Sequence, residues 1–252
     1  YRIPAEGGEP KPVTEEAGEF SDPTFTPDGR ALLFTHNTQG QEVYDLPRLA
    51  KVGWPAGGAI TTLTAGFDRE PASFAVTPDS RQIYMLVPEA ANENIYRLGI
   101  DGGKPELVIA PRTGGYTSLV IPDKAKQLRL IAGYGSSVSP VEIVRVDPAK
   151  KSHANLTSVN TALAATIDWS SPEHFSFTSR KGVTIHSMIV TPPAFDPKKK
   201  YPLLVIIHGG QIIVDQRIAM HRFDGETGQQ RLGGRHTKDG GCLAHQQRAQ
   251  AL

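Results

Sequence analysis

His208-Gly209-Gly210, set directly after the apolar run Pro202-Leu-Leu-Val-Ile-Ile207, is the place in this 252-residue sequence where residue types and spacing point to bond-making chemistry. Two consecutive glycines let a backbone turn sharply and bring its N–H groups close to a ligand. Aimed at the oxygen of a tetrahedral intermediate, such groups form an oxyanion hole, the electrostatic part of acyl transfer. Gly209 and Gly210 are the candidate oxyanion-hole residues, although an isolated His-Gly-Gly is more often a strand-ending turn. The other parts of acyl transfer are missing. No serine follows Ser187, and the nucleophile elbow G-x-S-x-G occurs nowhere in the chain, so no catalytic triad is assigned.

Other chemistry-bearing residues are weaker. His236, Cys242 and His245 fit no structural zinc spacing, and no metal site is assigned. Gly133-Tyr-Gly135-Ser-Ser-Val138 is an incomplete G-x-G-x-x-G without a helical pattern after it, so no cofactor is expected. Lys198 to Lys200 read as a solvated turn, and His186 as an outward-facing strand residue. Asn155-Leu-Thr157 is a glycosylation acceptor only in a secretory context.

The elements that must position the turn at 208–210 are strands. Leu203 to Ile207 has no polar alternation and reads as a strand buried on both faces, as in a parallel sheet. Upstream, Phe175, Phe177 and Thr178, then Val183, Ile185, Met188 and Val190, stand at near-alternate spacing around a Lys181-Gly182 turn. A proline-rich linker, Pro192 to Pro197, and three lysines join the two. This order, FTSRKGVTIHSMIVTPPAFDPKKKYPLLVIIHGG, resembles the start of the catalytic domain in the prolyl oligopeptidase family of serine peptidases, in its acylaminoacyl-peptidase and dipeptidyl-peptidase-like branch. The resemblance covers roughly Phe175 to Gly210. It implies an α/β-hydrolase domain opening at residue 173, a β-propeller ahead of it, and an oligopeptide substrate. The family normally places proline after His-Gly-Gly, where this chain has Gln211.

The residues before 173 carry internal repeats of their own. Phe25-Thr-Pro27-Asp28-Gly29-Arg30, Val76-Thr-Pro78-Asp79-Ser80-Arg81 and a shortened Ile121-Pro122-Asp123-Lys124 are each followed by an apolar run, marking blades over 25–34, 76–86 and 121–131. Proline fixes φ at the first central turn position and aspartate bonds back to the backbone, so each marker joins an inner strand to the next one outward. Tyr1-Arg-Ile-Pro-Ala-Glu-Gly-Gly8 recurs as Tyr96-Arg-Leu-Gly-Ile-Asp-Gly-Gly103, a third strand with its hairpin into a fourth at Lys11 to Thr14 and Glu106 to Ile109. The stretch from Leu46 to Ile60 reads as an insertion in the first blade. Its Trp54 is a candidate either to face a substrate cavity or, preferably, to pack the loop. The expected fold is mainly β, a partial β-propeller of four-stranded blades over 1–172 followed by the first strands of an α/β-hydrolase domain over 173–210. The first and last blades are left with open faces.

Composition bounds the function. With 38% hydrophobic and 21% charged residues and a net charge of +1, the chain has a globular composition without the basic footprint of a nucleic-acid binder. No apolar run approaches the roughly 18 residues that span a bilayer. A single cysteine, Cys242, excludes an internal disulfide and is compatible with cytoplasm and periplasm alike. Residues 211–252 change character, with seven glutamines against four in the first 210 residues and Phe223 as the lone aromatic. They are expected to be a disordered or frame-shifted tail. The leading reading is a truncated, inactive piece of a serine peptidase that acts on oligopeptides; the alternative is a non-catalytic propeller that binds a peptide or protein partner.

Overall fold

The fold follows from the repeated turns. In the computed structural model, which describes residues 1–37, 46–90, 92–122, 125 and 127–206, Thr26 Oγ1 donates to Asp28 Oδ1 at 2.6 Å and the Arg30 N–H to the same oxygen at 3.1 Å. Thr77, Asp79 and Arg81 reproduce both contacts at 2.6 and 3.1 Å. Each turn closes with the threonine N–H on the carbonyl of Ala31 or Gln82, at 2.9 and 2.8 Å. The residue after each aspartate is left-handed, Gly29 at φ 69° and Ser80 at φ 56°. The same short sequence therefore builds the same corner twice.

Each corner joins an innermost strand to the second strand of a four-stranded antiparallel sheet. The first sheet is β1 (Glu19–Phe25), β2 (Ala31–Asn37), β3 (Arg48–Gly53) and β4 (Thr61–Thr62). The second is β5 (Ser73–Val76), β6 (Gln82–Glu89), β7 (Asn92–Gly99) and β8 (Gly102–Ile109). The third is β9 (Gly115–Val120), β10 (Leu130–Ser136), β11 (Ser139–Asp147) and β12 (Ser152–Asn155). Within each sheet the strands neighbour one another in chain order, the meander of a propeller blade. Ahead of them, Arg2 and Lys11 exchange backbone hydrogen bonds at 2.8 and 2.9 Å, a lone outer hairpin.

Period-2 alternation stacks the sheets face to face. Ile83, Met85 and Val87 of β6 and Tyr96 and Leu98 of β7 pack with Leu33, Leu49 and Leu63 of the first sheet. The intervening residues, Tyr84 and Leu86 of β6 and Ile95 of β7, pack with Tyr116, Leu130, Ala132, Val144 and Val146 of the third. The middle sheet is thus buried on both sides. A cleft of about 160 Å³ runs between the innermost strands, with Phe25, Val76 and Val120 from three different sheets on its walls. Three stacked blades and an outer hairpin form a partial β-propeller.

Two sequence expectations need correction. The stretch at 46–60 is not simply an insertion, because Arg48–Gly53 is β3, with Leu49 and Ala50 fully buried, and residues 54–58 are its hairpin. The signal was Gly57-Gly58, a third copy of the double glycine at 7–8 and 102–103. All six lie at φ between 74° and 129°, where a side chain is strained. Leu203 to Ile206 does not form a buried strand. It is irregular and exposed. A strand apolar on both faces needs neighbours at both edges, and none pairs with it among the described residues. The hairpin ahead of it does form, as β13 (Glu173–Thr178) and β14 (Thr184–Ile189), around Gly182 at φ 76°. A short helix, α1 (Thr161–Ala164), lies between β12 and β13, and no helix among the described residues is long and apolar enough to cross a membrane.

Candidate functional site

The approach to the predicted oxyanion turn is visible, but the turn is not. His208, Gly209 and Gly210 lie outside the described residues, as do Gln211, His236, Cys242, His245 and the rest of 211–252. Phe175, Phe177, Ile185 and Ile189 share one face of the β13–β14 hairpin and are half-exposed. His186 stands on the opposite face, exposed and paired in register with Ser176. In the linker, Asp196 caps its own turn, its Oδ1 accepting the Lys198 N–H at 3.0 Å, and Phe195 packs on Tyr201 with ring centroids 5.0 Å apart.

The remaining sequence candidates resolve into structural roles. Trp54 packs edge-to-face on Phe25 at 5.0 Å beneath the Arg2 guanidinium, so it holds its hairpin against the sheet. Gly133 to Val138 is the end of β10 and its turn into β11, and Gly133 is required because a Cβ there would meet Thr117 Oγ1 at 2.3 Å. Asn155 ends β12, and Thr157 donates to the carboxylate of Glu142. That carboxylate also accepts the Asn160 N–H at 2.5 Å; these bonds, that of Thr157 first, hold it below the ordinary glutamate range.

Polar clusters not anticipated from sequence sit at the ends of the sheets opposite the Asp28 and Asp79 turns. Glu89, closing β6, accepts from Tyr96 Oη at 2.7 Å and from Asn94 Nδ2 at 3.1 Å, and pairs with Arg69 at 3.4 Å. Burial, then the Glu89 carboxylate, pushes the Tyr96 hydroxyl up to about 12. Beside this cluster, Glu19, Asp22 and Glu70 line a cleft of about 180 Å³ between the first two sheets. On the other side of the middle sheet, Glu93 lies over Gly115, whose added Cβ would meet Glu93 Cβ at 2.9 Å. One Glu93 oxygen is buried without a partner, and burial raises the group to about 7. No residue period announces these groups, since each is brought in by a different loop or strand end.

Among the described residues these clusters tie strand ends and loops together through hydrogen bonds and an ion pair. A hydroxyl and an imidazole meet, among the described residues, at Tyr116 Oη and His153 Nδ1, 2.8 Å apart. Tyr116 is buried, burial drives its hydroxyl far above the ordinary tyrosine value and lowers His153, and the Tyr134 ring lies tilted against the His153 ring with centroids 4.2 Å apart. The result is a part-buried hydrogen bond that joins the first and last strands of the third sheet. Among the described residues no group of three or more acidic, histidine or cysteine side chains is placed to hold a metal ion.

No protein-family model matches the chain. Dipeptidyl-peptidase 5 of Porphyromonas gingivalis is 26% identical over 188 residues, which cover 75% of this chain and 27% of that protein. A probable dipeptidyl-peptidase 5 of Emericella nidulans is 24% identical over 227 residues, covering 83% and 30%. The chain thus spans less than a third of the length of these curated relatives. Among solved structures, Pyrococcus horikoshii acylaminoacyl peptidase superimposes with a TM-score of 0.54 at 18% identity, over 69% of this chain and 25% of that one. An acylaminoacyl peptidase bound to Z-Gly-Gly-Phe-chloromethyl ketone gives 0.55 at 19% identity, with the same coverage. At such identities the structural likeness concerns the fold, and the fold is that of propeller blades.

Proposed function

We propose, for a chain that belongs to the prolyl oligopeptidase family of serine peptidases, that residues 1–172 are part of the propeller of an oligopeptide-cleaving enzyme and residues 173–210 enter its α/β-hydrolase domain. The observation that carries this reading is the order of parts along one chain: propeller blades, then the β13–β14 hairpin, then an apolar run ending in His208-Gly209-Gly210. A propeller that only binds a partner has no use for the last two. In this reading Gly209 and Gly210 supply backbone N–H groups to the developing oxyanion, and the propeller limits which substrates reach it.

The polypeptide 1–252 is proposed to be inactive by itself. Acyl transfer needs a nucleophile on a strained elbow, a histidine to accept its proton and an acid to orient that histidine. The sequence offers no G-x-S-x-G and no serine after Ser187. The test is the coding DNA. A family-like continuation with a G-x-S-x-G elbow in another reading frame, beginning just after the Gly210 codon, is the expected finding, and a product restored to that frame is expected to cleave dipeptidyl amides. A locus without such a continuation in any frame would overturn the proposal that 211–252 replaces hydrolase sequence.

A further inference from the structure

Gly115 opens β9 at a place where the second sheet presses on the third. A Cβ there would meet Glu93 of β7 at three atoms, Cβ at 2.9 Å, N at 3.1 Å and Cγ at 3.2 Å. Gly115 has no left-handed φ, so its neighbour, and not its backbone angle, is what calls for glycine. Glu93 stands on the same face of β7 as Ile95, which is sealed against Tyr116, Leu130 and Val144 of the third sheet. Its Oε2 is buried without a hydrogen-bond partner. A carboxyl held between two blades in this way is tolerated as the neutral acid, whereas the carboxylate needs a cation or water.

The charged and titratable groups of the elements packed around it, among the described residues, are engaged elsewhere. In its own sheet Glu89 turns to the opposite face and pairs with Arg69, and Tyr84 lies beside Arg97, which pairs with Glu106 at 2.5 Å. In the third sheet Tyr116 meets His153, the Tyr134 hydroxyl donates to the Thr113 carbonyl, and Glu142 accepts from Thr157 and the Asn160 N–H. The connection from β8 to β9 carries one charged residue, Arg112, which is exposed. None of these brings a cation to Glu93, and burial alone raises its carboxyl to about 7.

We propose that Glu93 and Gly115 form a pH-sensitive latch between the second and third blades. The neutral acid seats against Gly115 and keeps the start of β9 closed on β7; the carboxylate leaves for water and lets that end of the junction open. The opening is local, because the apolar contacts further along, Tyr84, Leu86 and Ile95 against Leu119, Leu130 and Val144, do not involve the carboxyl. A group at about 7 when seated and 4.5 in water favours the closed junction fully below about 4.5, and that preference is lost as pH rises to about 7. Between pH 6 and pH 8 the ratio of open to closed then rises about tenfold. The inference uses only the junction between two four-stranded sheets, so it does not depend on the peptidase reading.

Amide hydrogen exchange of the full 252-residue chain at pH 6 and pH 8, corrected for the intrinsic pH dependence of exchange, tests the latch. Peptides covering 112–118 are compared with peptides covering 48–53, where Leu49 and Ala50 are fully buried. The 112–118 segment is expected to be less protected than 48–53 at pH 8 and to lose about tenfold of its protection between pH 6 and pH 8. Glu93→Gln, neutral at both, is expected to abolish that loss. Gly115→Ala, whose Cβ displaces Glu93, is expected to leave the segment as open at pH 6 as the wild type is at pH 8. Circular dichroism establishes that each variant folds, and if Gly115→Ala does not, Glu93→Gln decides alone. Protection of 112–118 that ignores pH, a loss that survives Glu93→Gln, a folded Gly115→Ala that stays closed at pH 6, or equal protection of the two segments at pH 8 would each overturn the proposal.

Discussion

The Asp28 backbone N–H donates to Ser80 Oγ at 3.0 Å, tying the corner of one blade to the corner of the next. The two residues belong to copies of the same turn, and the bond exists because the second copy has serine where the first has Gly29. Ser80 accepts a left-handed φ of 56° to place its hydroxyl there, so a local strain is offset by an inter-blade hydrogen bond. We expect Ser80→Ala to keep the strain, lose the bond and destabilise the fold by about 1 kcal/mol. Ser80→Gly loses the same bond but relieves the strain, and is expected to cost less. Urea midpoints of the two variants check this, and Ser80→Gly proving worse than Ser80→Ala would refute it.

Buried and open blade faces should differ in energy at equivalent positions. Ile95 is sealed between the second and third sheets, while Ile143 faces outward. Truncating a sealed isoleucine leaves a cavity, so Ile95→Ala is expected to lose about 2–5 kcal/mol. Ile143→Ala, measured in monomeric protein by the same denaturant titration, is expected to stay within about 0.5 kcal/mol of wild type. Equal losses would mean that the third sheet is covered in solution by part of its own chain.

Stability should fall with rising pH because of Glu93. Its folded value of about 7 lies above the ordinary 4.5. Between those values the unfolded chain releases the proton and the folded one retains it, so stability is highest below about 4.5 as far as this group is concerned and declines up to about 7. Glu93→Gln is expected to flatten that decline and to raise the melting temperature at pH 8 more than at pH 5. A variant with an unchanged profile between pH 5 and pH 8 would contradict the buried, unpaired carboxyl.

The corner aspartates act in the opposite direction. Asp28 and Asp79 are held below the ordinary 3.8, first by the threonine hydroxyl and next by the arginine backbone N–H. Their contribution is complete above the unfolded value and is lost as pH falls through the lower folded one. Asp28→Asn with Asp79→Asn is expected to make acid unfolding below about pH 4 shallower. An acid limb of unchanged slope would count against the corner hydrogen bonds.

The fold was legible in this sequence where a local rule dictates geometry. Thr-Pro-Asp corners and double glycines fix backbone angles by themselves, and their recurrence exposed the blades. The Gly57-Gly58 pair obeys the same rule, but Trp54 and Pro55 ahead of it give the segment the composition of an inserted loop and mask β3. Leu203 to Ile206 failed differently. Its composition shows what surroundings it suits, whereas strand formation depends on partners elsewhere. The Glu89 and Glu93 clusters were illegible because their members come from strand ends and loops with no common spacing, and only the stacking of sheets assembles them.

The apolar run at 203–206 gives a solubility prediction. Each such side chain left in water forgoes roughly 1.5–3 kcal/mol of burial, and an exposed apolar segment invites association. Deleting residues 198–252 is expected to raise the soluble yield without shifting the urea midpoint of the blades. A less soluble or less stable product would show that the segment packs within this chain.

The most direct measurement is covalent labelling of purified 1–252 by a fluorophosphonate probe, run beside dipeptidyl and aminoacyl chromogenic amides. On the proposal that Gly209 and Gly210 would receive an oxyanion in a sequence with no elbow serine, neither label nor turnover is expected. Labelling of this polypeptide, or amide cleavage that persists after host peptidases are removed, would contradict the assignment of a peptidase scaffold without its nucleophile.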